Sequence, residues 1–140
     1  MYPLILSALI ASSSYATKMV CPTDTHEAFQ IGLEEASEEG FAVKLYDIEK
    51  VDSGLCRVVN IVVPATKNEK PFSGTTLILQ KDGSYAGQYD IVPSEYEGGS
   101  KYGVTFEACN NSSSTVIVAI FYGENCNTSS YAVSIQPWSM

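Results

Sequence analysis

The residues of this chain best suited to chemistry are few and scattered. His26 and Arg57 are the single members of their types. General acid–base catalysis near neutral pH needs a histidine or a carboxylate of shifted pKa, and phosphoryl chemistry adds a cation for the developing charge. His26 falls in the first turn of an expected helix, where an exposed or capping role fits better than catalysis. Arg57 stands between Cys56 and Val58 on an expected strand, placed to pair with a surface acid rather than to clamp phosphate. Glu27, Glu34, Glu35, Glu38 and Glu39 read as the solvated face of that helix. No Gly-x-Ser-x-Gly motif occurs, so neither a serine triad nor a metal hydrolase is supported. Cys21, Cys56, Cys109 and Cys126 are not closely spaced, and His26 has no companion at metal-ligand spacing. Two disulfides are therefore expected, with no metal and no cofactor, and three connectivities stay open.

Export supplies the oxidising compartment that such bridges need. Leu4 to Ala11 is an apolar run too short to span a bilayer, and Ser14 and Ala16 are small residues placed for cleavage before Thr17. Residues 1–16 are read as a signal peptide and residues 17–140 as one secreted domain, with no membrane anchor. Sequons at Asn110, Asn111 and Asn127 are consistent with secretion. The net charge is −8, and the lysines are dispersed with no basic run. That balance disfavours a phosphate backbone as partner.

The elements that would position these residues follow from periodicity. Asp24 to Glu27 reads as a helix cap, and Phe29, Leu33 and Ala36 recur on one helical face until Gly40. From Phe41 the period becomes two: Phe41, Val43 and Leu45 alternate with Ala42, Lys44 and Tyr46. Val58 to Val63 is a β-branched run suited to a central strand. Thr75–Gln80 and Ser84–Val92 flank Lys81-Asp82-Gly83, a hairpin turn signal. Tyr102–Ala108, Val116–Tyr122 and Tyr131–Ile135 are further strand candidates. The segments 64–74 and 93–101 read as loops. Helix first and sheet after predicts an α+β fold, a single N-terminal helix packed on an antiparallel sheet.

In order and in some of its letters the segment from Cys21 to Cys109 resembles the small secreted microbial ribonucleases and the ribonuclease-like effectors of plant-pathogenic fungi, powdery mildews among them. The matching pieces are Cys21, the helix from Thr25, Val58 to Pro64, Tyr85-Ala86-Gly87 and Phe106-Glu107-Ala108-Cys109. The resemblance implies a Cys21–Cys109 bridge, which leaves Cys56 with Cys126. It also implies a catalytic glutamate before the proline, an arginine on the next strand and a histidine after Ala-Gly. Residues 57–64 contain no carboxylate, 75–80 no arginine and 88–92 no histidine, with Asp90 the sole carboxylate there. A non-catalytic member is the result, and the tail from Asn110 to Met140, which such ribonucleases lack, is expected to add edge strands.

The expected function is that of a secreted effector which binds a host protein more readily than host RNA, with action inside host cells implied by the resemblance. Loops carry such surfaces, and Tyr96 and Tyr102, with Lys101, Lys67 and Lys70, are the candidate binding residues. Both tyrosines could equally pack over the sheet edge. Two alternatives compete: an active secreted ribonuclease, and a cystatin-like protease inhibitor suggested by Gln136-Pro137-Trp138. The second lacks the Gln-x-Val-x-Gly wedge of that family.

Overall fold

The computed structural model describes residues 29–52, 54–125 and 127–138. In chain order they form β1 (Phe29–Ile31), α1 (Leu33–Glu38), β2 (Ala42–Leu45), β3 (Glu49–Val51), β4 (Gly54–Pro64) and β5 (Thr66–Lys67). There follow β6 (Lys70–Lys81), β7 (Ser84–Ile91), β8 (Ser94–Tyr96), β9 (Lys101–Cys109), β10 (Thr115–Glu124) and β11 (Asn127–Ile135). Among the described residues strand makes up 68% and helix 9%, which overturns the α+β ribonuclease expectation. The protein is built from two curled sheets. One runs β1-β11-β10-β6, with β5 and β7 also paired to β6, and the other runs β4-β9-β8 with β2 and β3 on the far side of β4.

The helix is where the sequence pattern misled. Phe29 to Ile31 does not continue a helical turn but pairs in parallel with Tyr131 to Val133. Gly32 is a poor helix former, and a ladder with β11 satisfies the backbone that an isolated turn would leave open. Among the described residues of the expected helix, Leu33–Glu38 is helical, and of it Ala36 alone is buried. Glu35 Oε1 accepts a hydrogen bond from the Gly32 amide at 2.8 Å, which caps the first turn. Gly40 does end the element, at φ +92°. The cap expected at Asp24 and the side chain of His26 lie outside the described residues.

Alternation then works as the period of two requires. On β4, Val59, Ile61 and Val63 point inward, and on β10 Val116, Val118, Ile120 and Tyr122 do, all of them buried. Together with Phe41, Leu77, Val104, Val133 and Ile135 they make one core between the sheets. The expected loop at 64–74 holds β5 and the start of β6, and that at 93–101 holds β8. The tail was expected at an edge. It supplies instead β10, paired on one side with β11 and on the other with β6. A segment this apolar cannot sit half-exposed without cost, so it occupies the middle of its sheet.

Specific side chains tie the layers together. Tyr122, fully buried, donates from its hydroxyl to the Pro64 carbonyl at 2.7 Å and so links β10 to the end of β4. Its ring lies parallel to Phe41 at 6.5 Å and edge-on to Phe72 and Tyr131. Burial pushes the Tyr122 phenol well above its usual range, and Tyr131 adds to the rise. Trp138 Nε1 donates to the Ser113 carbonyl at 3.3 Å, holding the C-terminal end against the β9–β10 turn.

The disulfide pairing implied by the resemblance is also corrected. Cys56 is bonded to Cys109. These residues stand directly opposite each other where β4 and β9 pair, so the sheet register itself brings the sulfurs together. Cys109 is thereby unable to bridge to Cys21. Cys21 and Cys126 lie outside the described residues. Among the described residues no helix is long and apolar enough to cross a membrane.

Candidate functional site

The outward face of the second sheet is a consequence of the same alternation that builds the core. While Val59 and Ile61 turn inward, Val58, Asn60 and Val62 of β4 turn outward, beside Thr105 of β9 and Ala42 and Lys44 of β2. The register aligns them in rows: Ala42, Val62 and Gly103 in one, and Lys44, Asn60 and Thr105 in the next. An open groove of about 690 Å³ runs over these rows, with Tyr46 on one flank and Tyr96 on the other.

The Tyr96 ring and the Tyr46 backbone are held. Tyr96 reaches back across Gly103: a Cβ built at that glycine would lie 2.5 Å from the Tyr96 Cε1 atom. Gly103 is thus a seat for a ring, and any larger residue would lift it. At the other flank the Tyr46 amide donates to the Val58 carbonyl at 3.0 Å, and the Tyr46 carbonyl accepts from Arg57 Nε at 2.7 Å. Arg57 Nη1 also donates to the Pro137 carbonyl at 2.8 Å. Arg57 is therefore a positioning residue for the Tyr46 backbone.

The groove floor is polar at its centre. Asn60 Nδ2 donates to Thr105 Oγ1 at 2.8 Å and, more weakly, to the Val104 carbonyl at 3.4 Å. That orientation fixes the largely buried amide through its nitrogen, so any further bond it makes at the groove is through its oxygen, while the Thr105 hydroxyl, having accepted, keeps its own hydrogen to donate. Lys101 lies 3.6 Å from Glu97, both exposed, so their charges largely offset each other at the rim.

Of the five binding residues expected from the sequence, the fold brings two to this groove, Tyr96 and Lys101. Tyr102 follows Lys101 and so points the opposite way, stacking on Phe72 with ring centroids 4.8 Å apart. Lys67 lies elsewhere, its ammonium 2.7 Å from Glu39 Oε1 and 2.9 Å from the Glu39 carbonyl. It also sits over the rings of Phe41 and Tyr131 at 5.6 and 5.5 Å. Lys70 donates to Ser129 Oγ at 2.8 Å. These two lysines tie β5 and β6 to their neighbours rather than face the groove. Lys44, Tyr46, Asn60 and Thr105 were not anticipated as site residues. The signal for the first two was present in the polar half of the alternation from Phe41 to Tyr46, but nothing in the sequence said which strands would lie beside it.

Other clusters offer less. Cys56, Glu107 and Cys109 bring potential ligand atoms within 4.8 Å, but the two sulfurs are bonded to each other and present no thiolate. Asp90 accepts from Thr76 Oγ1 at 3.2 Å on β7, away from the groove. Compared with protein-family models, with curated proteins and with solved structures, the chain matches none. What its own geometry defines is a two-sheet β protein with a preformed polar-aromatic groove on one outer face.

Proposed function

We propose that this is a secreted, non-catalytic binding module that captures its ligand in the groove between Tyr46 and Tyr96. The observation that supports this most directly is the seating of Tyr96 on Gly103, which holds an exposed ring in place before any ligand arrives. Rigid aromatic platforms beside oriented hydrogen-bonding groups are what recognition surfaces are built from. The net charge of −8, and a rim where Lys101 is offset by Glu97, favour an uncharged polar partner over RNA. An effector role toward a host is kept only in this form, as capture of a host component. The ribonuclease fold no longer supports it.

The test is retention from leaf extract, with and without ribonuclease, by the wild-type chain and by Thr105→Trp, which fills the groove floor. The wild type is expected to retain a component insensitive to ribonuclease and the variant to lose it. Equal retention by a folded Thr105→Trp, retention abolished by ribonuclease, or RNA cleavage by the purified chain would each refute the reading.

A further inference from the structure

Resting on the groove reading above, we infer that the ligand is a neutral oligosaccharide chain. A pyranose ring presents an apolar C–H face and a rim of hydroxyls, each both donor and acceptor. Its binding therefore calls for aromatic platforms together with side chains that supply donors and acceptors side by side. The groove has this combination: the rings of Tyr46 and Tyr96, and between them Lys44, Asn60 and Thr105 in one row.

Competing occupants fit less well. A strand from another chain would add to a free edge of this sheet, at β2, β3 or β8, and would leave the groove face over β4 and β9 uncovered. An amphipathic helix needs an apolar bed, and here Asn60 and Thr105 occupy the centre of the floor. A polyanion needs uncompensated cations, and of Lys44 and Lys101 the second already has Glu97 beside it.

Length argues for a chain rather than one terminal sugar. From Tyr46 on the β2 side to Gly103, where the Tyr96 ring rests, is two strands across and four residues along. At strand spacing and rise per residue that diagonal is about 16 Å. An open groove of this span accepts several consecutive sugar rings, with the outer two stacked on the tyrosines. The hydroxyls of the middle rings face Asn60 Oδ1, the Thr105 hydroxyl and the Lys44 ammonium.

The experiment titrates the ¹⁵N-labelled protein with four neutral tetrasaccharides, made of β-1,4-linked glucose, β-1,4-linked N-acetylglucosamine, β-1,3-linked glucose and α-1,6-linked mannose. Tetragalacturonate serves as the charged arm. At least one neutral tetramer is expected to shift the amides of Lys44, Asn60 and Thr105. Tyr96→Ala or Tyr46→Ala should weaken it about tenfold, the loss of one stacking platform. Both variants are surface truncations, and their melting temperatures check that the fold survives. The inference is overturned if no neutral tetramer binds, if only tetragalacturonate does, or if the affinity is unchanged in both tyrosine variants. Failure here with groove-dependent retention still observed for wild type against Thr105→Trp would remove the sugar and leave the binding module standing.

Discussion

Replacing Cys56 and Cys109 together by alanine tests both the register of the second sheet and the connectivity that the structure assigns. The bridge joins residues 53 apart in sequence. A crosslink closing a loop of that size removes chain entropy from the unfolded state worth about 4 kcal/mol. Single domains are stable by about 5–15 kcal/mol, so the double variant should retain its fold with a greatly narrowed margin. At roughly 4 °C per kcal/mol for a domain of this size, the melting temperature should fall on the order of 15 °C. Urea unfolding of the non-reduced proteins supplies the free-energy difference directly. Connectivity is read separately from Cys56→Ser, alkylated without reduction and mapped by peptide mass. The observed pairing releases the Cys109 thiol, whereas the pairing implied by the ribonuclease resemblance would release that of Cys126 instead. A double variant within about 1 kcal/mol of wild type, or a label found on Cys126, would refute the reasoning from register to crosslink.

Other consequences are as direct. Tyr122→Phe removes the bond to the Pro64 carbonyl and should cost about 1–2 kcal/mol in urea unfolding. Because burial raises the Tyr122 phenol above its unfolded value near 10, the stability it contributes is complete below about pH 10 and declines as pH rises beyond it. Wild type should accordingly lose stability in alkali more steeply than Tyr122→Phe, and parallel pH profiles would contradict this. Lys67→Met should destabilise by about 1–2 kcal/mol, discounted for the partial exposure of Glu39, while Lys101→Ala should lie within about 0.5 kcal/mol of wild type. Equal thermal melts for these two would argue against the Lys67 contacts. Gly103→Ala should leave the melting temperature within a few degrees of wild type, since the displaced ring is already partly exposed, yet should shift the Tyr96 ring resonances in NMR spectra. Unchanged ring resonances would mean that Tyr96 does not rest on Gly103.

Much of this protein was legible in its residues. The alternation of Phe41, Val43 and Leu45 with Ala42, Lys44 and Tyr46, the β-branched run at Val58 to Val63, and the Asp82-Gly83 turn each correspond to an observed strand or hairpin. These are local signals: a period of two and a residue tolerant of positive φ say strand and turn wherever the strand ends up. The short apolar segment around Phe29 was ambiguous for the same reason. Phe29, Leu33 and Ala36 suit one helical face, and only the availability of β11 as a parallel neighbour made Phe29 to Ile31 a strand. Which strands lie side by side is a long-range matter, set by how two sheets bury their inner faces against each other. That pairing alone placed Cys56 opposite Cys109, put the tail at the centre of a sheet, turned Tyr102 inward while Tyr96 stayed out, and assembled Lys44, Asn60 and Thr105 from three strands into one row.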